Sequence, residues 1–455
     1  MTIIVDCITF ITSGVIVLKK VVLANILNPI SDKKCEFIKD GAMILKKKKT
    51  KSFEGFVVDK IGKASVLYKE FDNLEVIDLS KKVIMPTFFD MHFHWVQDDV
   101  RDMPKANLLE WLDKYTFPTE GKFKNKAYAK KRAKEFFDRI TKTGTMGGAC
   151  YSSIHEHAVN YAFDYAKGDY VIGNVLMTIN SPKFLTQKPK EAIDLANKLS
   201  TTYKEKYALT PRFAIATDPV TMKETATVAK KNKSFIQTHL SETKNEIEFV
   251  KSIYKEMPGF EKVASYTDIY KKCNILGSKT IMGHGIHLDF KELETLAKTK
   301  TAIAHCPTSN APHKEKGLGS GLFNFKLIEK SKIPWALGSD IGGGPFLSML
   351  DVMRSFVDQN KKANVKGASF VKALYRSTVA GAEILKMGKK KGNFIAGKEA
   401  NFVAFEMPRI AKVDKLTSEL ILEKIIRKKQ RVRESYDTYA KDVFYLGEKI
   451  YSSKN

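Results

Sequence analysis

Cysteine is scarce and unpatterned in this chain. Its 455 residues include five, at positions 7, 35, 150, 273 and 306, with no CxxC pair and no even framework. That excludes a disulfide-stapled secreted fold and fits a reducing compartment, the cytoplasm. Long apolar runs are also missing. Only residues 1–18 read as apolar; Asp6 interrupts them, no basic segment precedes them, and no clear cleavage site follows. They are too short to be assigned as a membrane span, so residues 1–20 are expected to be an N-terminal extension of unassigned role. Acidic residues are in deficit: 51 against 77 lysines and arginines, for a net charge of +26. Basic runs such as 46–51 (KKKKTK), 129–134 (AKKRAK) and 230–233 (KKNK) would attract polyanions. No zinc finger, RNP-like aromatic strand or basic helix with interleaved aromatics accompanies them, so a solvated lysine-rich surface is expected rather than a nucleic-acid or membrane partner. A Ser-His-Asp elbow and a P-loop glycine pattern are absent as well, as are internal repeats and low-complexity linkers.

What is present is an ordered alternation. Eight apolar runs read as strands: VIMPTFFDMHFH, TMGGACYSS, YVIGNVLMTI, LTPRFAIAT, SFIQTHL, KTIMGHG, TAIAHC and PWALGSD. Between them lie stretches with helical spacing, such as Ala192, Leu195, Ala196, Leu199 and Met349, Val352, Met353, Phe356. Continuous apolar strands separated by helices predict an α/β fold, a TIM-like (β/α)8 barrel, over residues 83–388. The flanks are strand-rich instead: VVLANIL, GAMILK, GFVVDKIG and LEVIDLS before the barrel, and GNFIAGKEANFVAFE and VFYLGEKIY after it. Segments 21–82 and 389–455 are therefore expected to combine into one small β-sandwich beside the barrel.

Five of the runs end on potential metal ligands: DMHFH (90–94), IQTHLSE (236–242), IMGHG (281–285), IAHC (303–306) and ALGSD (336–340). The carboxyl ends of parallel barrel strands converge on one mouth, so His92, His94, His239, His284 and Asp340 are predicted to meet there. Several imidazoles and a carboxylate suit a divalent ion such as Zn2+ that keeps a position for water, with Fe2+ as the alternative. His92 and His94 stand at i and i+2 of one strand and so share a face. His284 is either a direct ligand or a hydrogen-bond partner of the activated water. Asp340 can both ligate and accept a proton, and Glu242, three residues after His239, is placed to carry a proton between water and a leaving group. The expected chemistry is metal-assisted hydrolysis.

PTFFDMHFH, QTHLSE, MGHGIHL, HCPTSN and LGSD together resemble the amidohydrolase superfamily, closest to its metal-dependent nucleobase and triazine deaminases. HFHWVQ (92–97), LLEWLDKYTFP (108–118), TPRF (210–213), HCPTSN (305–310) and GSGLFNF (319–325) are, more specifically, similar to the guanine deaminase family, with gaps from about residue 21 to 451. The resemblance implies hydrolysis of guanine to xanthine and ammonia, one zinc per chain held by His92, His94, His239 and Asp340, Glu242 as proton shuttle, and a homodimer. It further implies that Gln97 and Arg212, joined by Trp95, Val96 and Phe213, read the purine. A buried arginine would donate to the ring carbonyl that adenine lacks. Departures from the family pattern stand at Thr87, Met91, Gly283 and Ser339, at Thr178–Phe184, and at an apparent insertion over Ala311–Gly317 near the expected pocket mouth. They bear on substrate choice more than on reaction type. Deamination of another ring, of thioadenosine, cytosine or triazine type, is the alternative activity, and a non-catalytic nucleic-acid-binding protein the remote one.

Overall fold

The first four strands, β1 (Lys19–Ser31), β2 (Lys34–Thr50), β3 (Phe53–Lys63) and β4 (Glu75–Pro86), precede eight more: β5 (Phe88–His94), β6 (Thr145–Ser152), β7 (Asp169–Leu176), β8 (Ala208–Pro211), β9 (Phe235–Leu240), β10 (Thr280–His284), β11 (Ala302–His305) and β12 (Trp335–Leu337). The chain then returns through β13 (Phe402–Glu406), β14 (Asp442–Tyr445) and β15 (Glu448–Ser452). This computed structural model describes residues 18–410, 416–428 and 436–453. The extension expected at residues 1–20 lies, up to residue 17, outside the described residues. Among the described residues no helix is long and apolar enough to cross a membrane.

Strands β5 to β12 pair in sequence order, each parallel to the next. Backbone bonds close the circle between the segment after β12 and β5: the Asp340 amide donates to the His92 carbonyl (2.7 Å) and the His94 amide to the Ile341 carbonyl (2.7 Å). The result is the TIM-like barrel that eight buried apolar strands predict. Its strands are buried almost without interruption, as parallel strands covered by helices require. The outer helices follow the expected spacing. Helix 126–142 buries Ala129, Ala133, Phe136, Phe137 and Ile140 on one face, and its N-cap Asn125 accepts from the Tyr128 amide.

The fourth barrel strand is shorter than the run LTPRFAIAT suggests. It stops at Pro211, which has no amide hydrogen to continue the ladder. The chain then turns, with the Ala216 and Thr217 amides donating to the Phe213 carbonyl. This early stop leaves Arg212 and Phe213 at the rim rather than inside a strand.

The terminal strands form one seven-stranded mixed sheet, in the order β15-β14-β13-β4-β1-β2-β3. Its far edge curls back onto the C-terminal segment: the Val58 amide donates to the Lys398 carbonyl (2.8 Å) and the Phe56 amide to the Leu446 carbonyl (2.9 Å). The sheet thereby encloses Val22, Ile26, Met43, Leu45, Phe56, Ile84, Phe402 and Phe444. Alternate residues of β4 and β13, namely Val83, Met85, Val403 and Phe405, belong to the barrel's core instead. This is the two-faced pattern of strands that separate two cores.

Candidate active site

The HxH pair sits on β5, buried on all sides, and the geometry at the carboxyl ends of β9, β10 and β12 brings four more side chains to it. One donor atom each of His92, His94, His239 and Asp340 lies within 4.8 Å of the others. His94 Nε2 is 3.1 Å from His239 Nε2, and Asp340 Oδ1 stands 3.4 Å from His92 Nε2 and 3.5 Å from His94 Nε2. Ser241, His284 and Asp340, each at or just past a strand end, have positive φ (49°, 71° and 50°). Such backbone is uncommon for residues other than glycine and clusters at functional sites. Gly283 supplies the remaining space, since a Cβ there would meet the His92 ring at 2.5 Å.

His284 belongs to the adjoining group. Its Nε2 is 3.5 Å from Glu242 Oε2 and 3.9 Å from Asp340 Oδ2. Asn310 Nδ2 lies 3.2 Å from His284 Nδ1 and donates to Glu242 Oε1 at 3.4 Å, and the Ser320 hydroxyl donates to the same oxygen at 3.2 Å. Glu242 is held in this place by the helix that follows, Lys244–Lys255. Thr243 and Glu246 close its first turn as a capping box, and Glu246 Oε2 accepts from the Glu242 amide (2.8 Å).

Among the described residues, several of these buried atoms have no hydrogen-bond partner: both ring nitrogens of His92, Nδ1 of His94 and Nε2 of His284. Unpaired buried polar atoms are costly. Three imidazoles and a carboxylate converging on one point therefore fit a divalent cation. His239 is already set for such a role. Its Nδ1 lies 2.7 Å from the Arg212 carbonyl, which fixes the proton there and leaves Nε2 free to ligate.

Electrostatics favour the same states. Burial, reinforced by His239, His92 and Arg212, holds His94 well below the usual histidine range; burial, His92 and His284 do the same to His239. Both rings are thus held neutral, the state in which an imidazole can ligate a metal. Burial pushes His284 down to about 4. Burial also drives Glu242 well above the ordinary carboxylate range, with Asp340 and Glu246 adding repulsion. Burial acts to raise Asp340 too, but the adjoining His92 and His284 rings leave it lower than usual. Two neighbouring carboxyl groups driven apart in this way suit one as proton carrier and one as ligand.

Above the donors lies a narrow cavity lined by His94, Gln97, Leu108, Trp111, Leu112, Arg212, Phe213, His239, Glu242, Glu246, His284, Leu318 and Asp340. Gln97, Arg212 and Phe213 line this cavity together with His94, His239 and Asp340. Trp95 and Val96 are not among the residues that line it. They follow His94 in a 3-10 turn, where only residues three apart share a face, so His94 and Gln97 look into the cavity. Trp95 instead packs against Phe123 (5.0 Å) and Phe137 (6.0 Å).

Leu108, Trp111, Leu112, Leu318, Glu246, Asn310, Ser320 and Glu120 were not singled out by the sequence. Glu120 is buried behind the cavity and accepts from Gln97 Nε2 (2.8 Å) and Arg212 Nη1 (2.6 Å). It stands two residues beyond the YTFP string that carries part of the resemblance. The Ala311–Gly317 segment forms a short 3-10 turn, and Lys316 reaches Asp102 (2.8 Å), which joins the two loops that supply Leu318 and Leu108. His305 stacks on Phe323 at 4.3 Å and serves packing. Cys306 lies near His92 and His284, and burial pushes its thiol well up.

The amidohydrolase family model matches residues 83–432. The guanine deaminase of Escherichia coli K12 is 32% identical over 380 residues, 81% of this chain and 82% of that protein. The guanine deaminase of Dictyostelium discoideum is 34% identical over 342 residues, 71% and 73% of the two chains. The crystal structure of guanine deaminase from C. acetobutylicum with guanine bound in the active site superposes with a TM-score of 0.82 at 25% identity. That match covers 95% of this chain and all of the other.

Proposed function

The chain belongs to the amidohydrolase family, and we propose that it is a zinc-dependent guanine deaminase, hydrolysing guanine to xanthine and ammonia. One observation carries this reading beyond the family: Arg212 and Gln97, both bonded to Glu120, line the same cavity as His94, His239 and Asp340 of the donor cluster.

His92, His94, His239 and Asp340 would hold the ion. A divalent ion held by them acts as a Lewis acid and brings the pKa of water to about 7. The remaining work belongs to the chain. Arg212 donates to the six-position carbonyl of guanine, while Phe213, Trp111 and Leu112 confine the ring and exclude solvent. Water adds across the C2=N3 bond; Glu242, within reach of His284 and Asp340, takes one water proton and delivers it to N3, then takes the second from the added hydroxyl and delivers it to the departing amino group as C2=O forms. His284 donates to the oxygen that becomes the new carbonyl, and Asn310 holds its ring. The C2–N bond breaks and ammonia leaves.

Purified protein loaded with zinc and offered guanine, adenine, cytosine and methylthioadenosine should release ammonia from guanine at a rate at least tenfold above the others. Turnover of a different ring alone would contradict the assignment. Arg212→Met should lower kcat/KM for guanine roughly tenfold to a hundredfold, the equivalent of about 1.5–3 kcal/mol for a hydrogen bond from a charged group. The same variant should narrow the gap to 2-aminopurine, which lacks the carbonyl. It strands the Glu120 carboxylate, so it should also melt earlier, and the kinetics belong well below that temperature. Unchanged guanine kinetics would make Arg212 purely structural.

A further inference from the structure

We infer that Glu120 is a positioning residue that fixes which pole of the Gln97 amide faces the substrate and so selects the purine edge that the cavity accepts. The inference rests on the guanine reading above. Glu120 occupies the short helix Phe117–Gly121 and is fully buried. Its two oxygens are divided between two partners: Oε1 accepts from Gln97 Nε2 at 2.8 Å and Oε2 from Arg212 Nη1 at 2.6 Å. The side chains of Arg212 and Glu120 are 2% and 1% exposed, so this ion pair is sealed from water. Glu120 is not part of the cavity wall, whereas both of its partners are.

A carboxylate paired with a guanidinium offers acceptors only. The amide group turned toward it must therefore be the NH2, and the oxygen of Gln97 becomes the pole left for a ligand. Arg212 has no acceptor in any orientation, and its plane is fixed twice, by Glu120 and by the Phe117 ring 5.2 Å from its centre. The cavity thus presents a donor from Arg212 beside an acceptor from Gln97. Its complement is a ring edge with a carbonyl next to an N–H, as at positions 6 and 1 of guanine. An edge of inverted polarity, an amino group beside an unprotonated nitrogen, meets two mismatches. Rejection of this kind is strong because the buried groups of the site are left unpaired.

2,6-Diaminopurine provides the probe: it carries the same 2-amino leaving group on the inverted edge. Glu120→Gln keeps the volume but supplies an NH2 of its own, so the Gln97 amide can turn and offer its NH2 to the substrate. The wild-type enzyme is first assayed on guanine. Absence of turnover there would defeat the guanine reading itself and is thereby separated from failure of the present inference. In Glu120→Gln, KM for guanine should rise about tenfold to a hundredfold, with kcat changed only a few-fold, since neither atom bonded to Glu120 touches the reacting carbon. The ratio of kcat/KM for 2,6-diaminopurine to that for guanine should rise at least about tenfold. Glu120→Asp, still an acceptor only, should keep the wild-type ratio even where KM rises. A Glu120→Gln ratio no higher than wild type would mean that Glu120 only supports the fold. Should Glu120→Gln not fold, Gln97→Met removes the acceptor directly. It should raise the same ratio at least tenfold, and an unchanged ratio would overturn the inference.

Discussion

Glu242→Gln should lose about 10²–10⁴-fold in kcat while keeping zinc content and guanine affinity. The amide nearly matches the carboxyl in size. Asn310 and Ser320, both placed to donate to Oε1, find an acceptor in the new side chain as well. What disappears is a group able to accept a proton from water and surrender it to the leaving nitrogen. Both transfers run through one residue, so neither is retained. The buried setting of Glu242, beside Asp340 and Glu246, raises its proton affinity far above that of a solvated glutamate. Steady-state kinetics with zinc analysis on the same preparation checks this. A fall in kcat of less than tenfold would transfer the role to another group, with Asp340 and His284 the nearest.

His239→Ala should reduce bound metal from about one per chain to a small fraction of that and abolish turnover. Its Nε2 is one of four donors in the cluster, and its orientation is set by the Arg212 carbonyl rather than by chance packing. Removing one of the four donors leaves a cavity in place of an imidazole, which should weaken binding of the ion severely. Because a bound ion stabilises only the folded state, chelation should lower the melting temperature of the wild type and leave His239→Ala unmoved. Undiminished metal in the variant would remove His239 from the site.

Much of this arrangement is visible in the sequence because barrel strands are buried on both faces. They read as unbroken apolar runs, and the residue that ends each run must lie at the mouth. That rule places His92, His94, His239, His284 and Asp340 without any knowledge of helix packing. It fails where the backbone leaves regular geometry. Trp95 and Val96 follow the HxH pair in sequence, but of that 3-10 turn only Gln97 lines the cavity. Arg212 is legible as a residue past a strand end. Glu120 is not: in sequence it is an ordinary acidic residue in a short polar helix, and only the convergence of Gln97 and Arg212 on its two oxygens reveals it. Glu246 is half legible, since Thr243 and Glu246 announce a capping box, although nothing in the spacing says that the same carboxyl borders the cavity. The terminal sheet shows the same division. Its strands are plain from alternation, whereas the curl that brings β3 against the 397–400 segment depends on backbone bonds between segments some 340 residues apart, such as that from the Val58 amide to the Lys398 carbonyl.

Reaction of the zinc-loaded protein with guanine in ¹⁸O-labelled water, followed by mass spectrometry and ammonia determination, tests the central claim most directly. Hydrolytic deamination at this site predicts xanthine carrying one solvent oxygen and one ammonia for each guanine consumed, all of it lost on chelation and restored by zinc. Xanthine without solvent label, or guanine left unchanged while another heterocycle is deaminated, would contradict it.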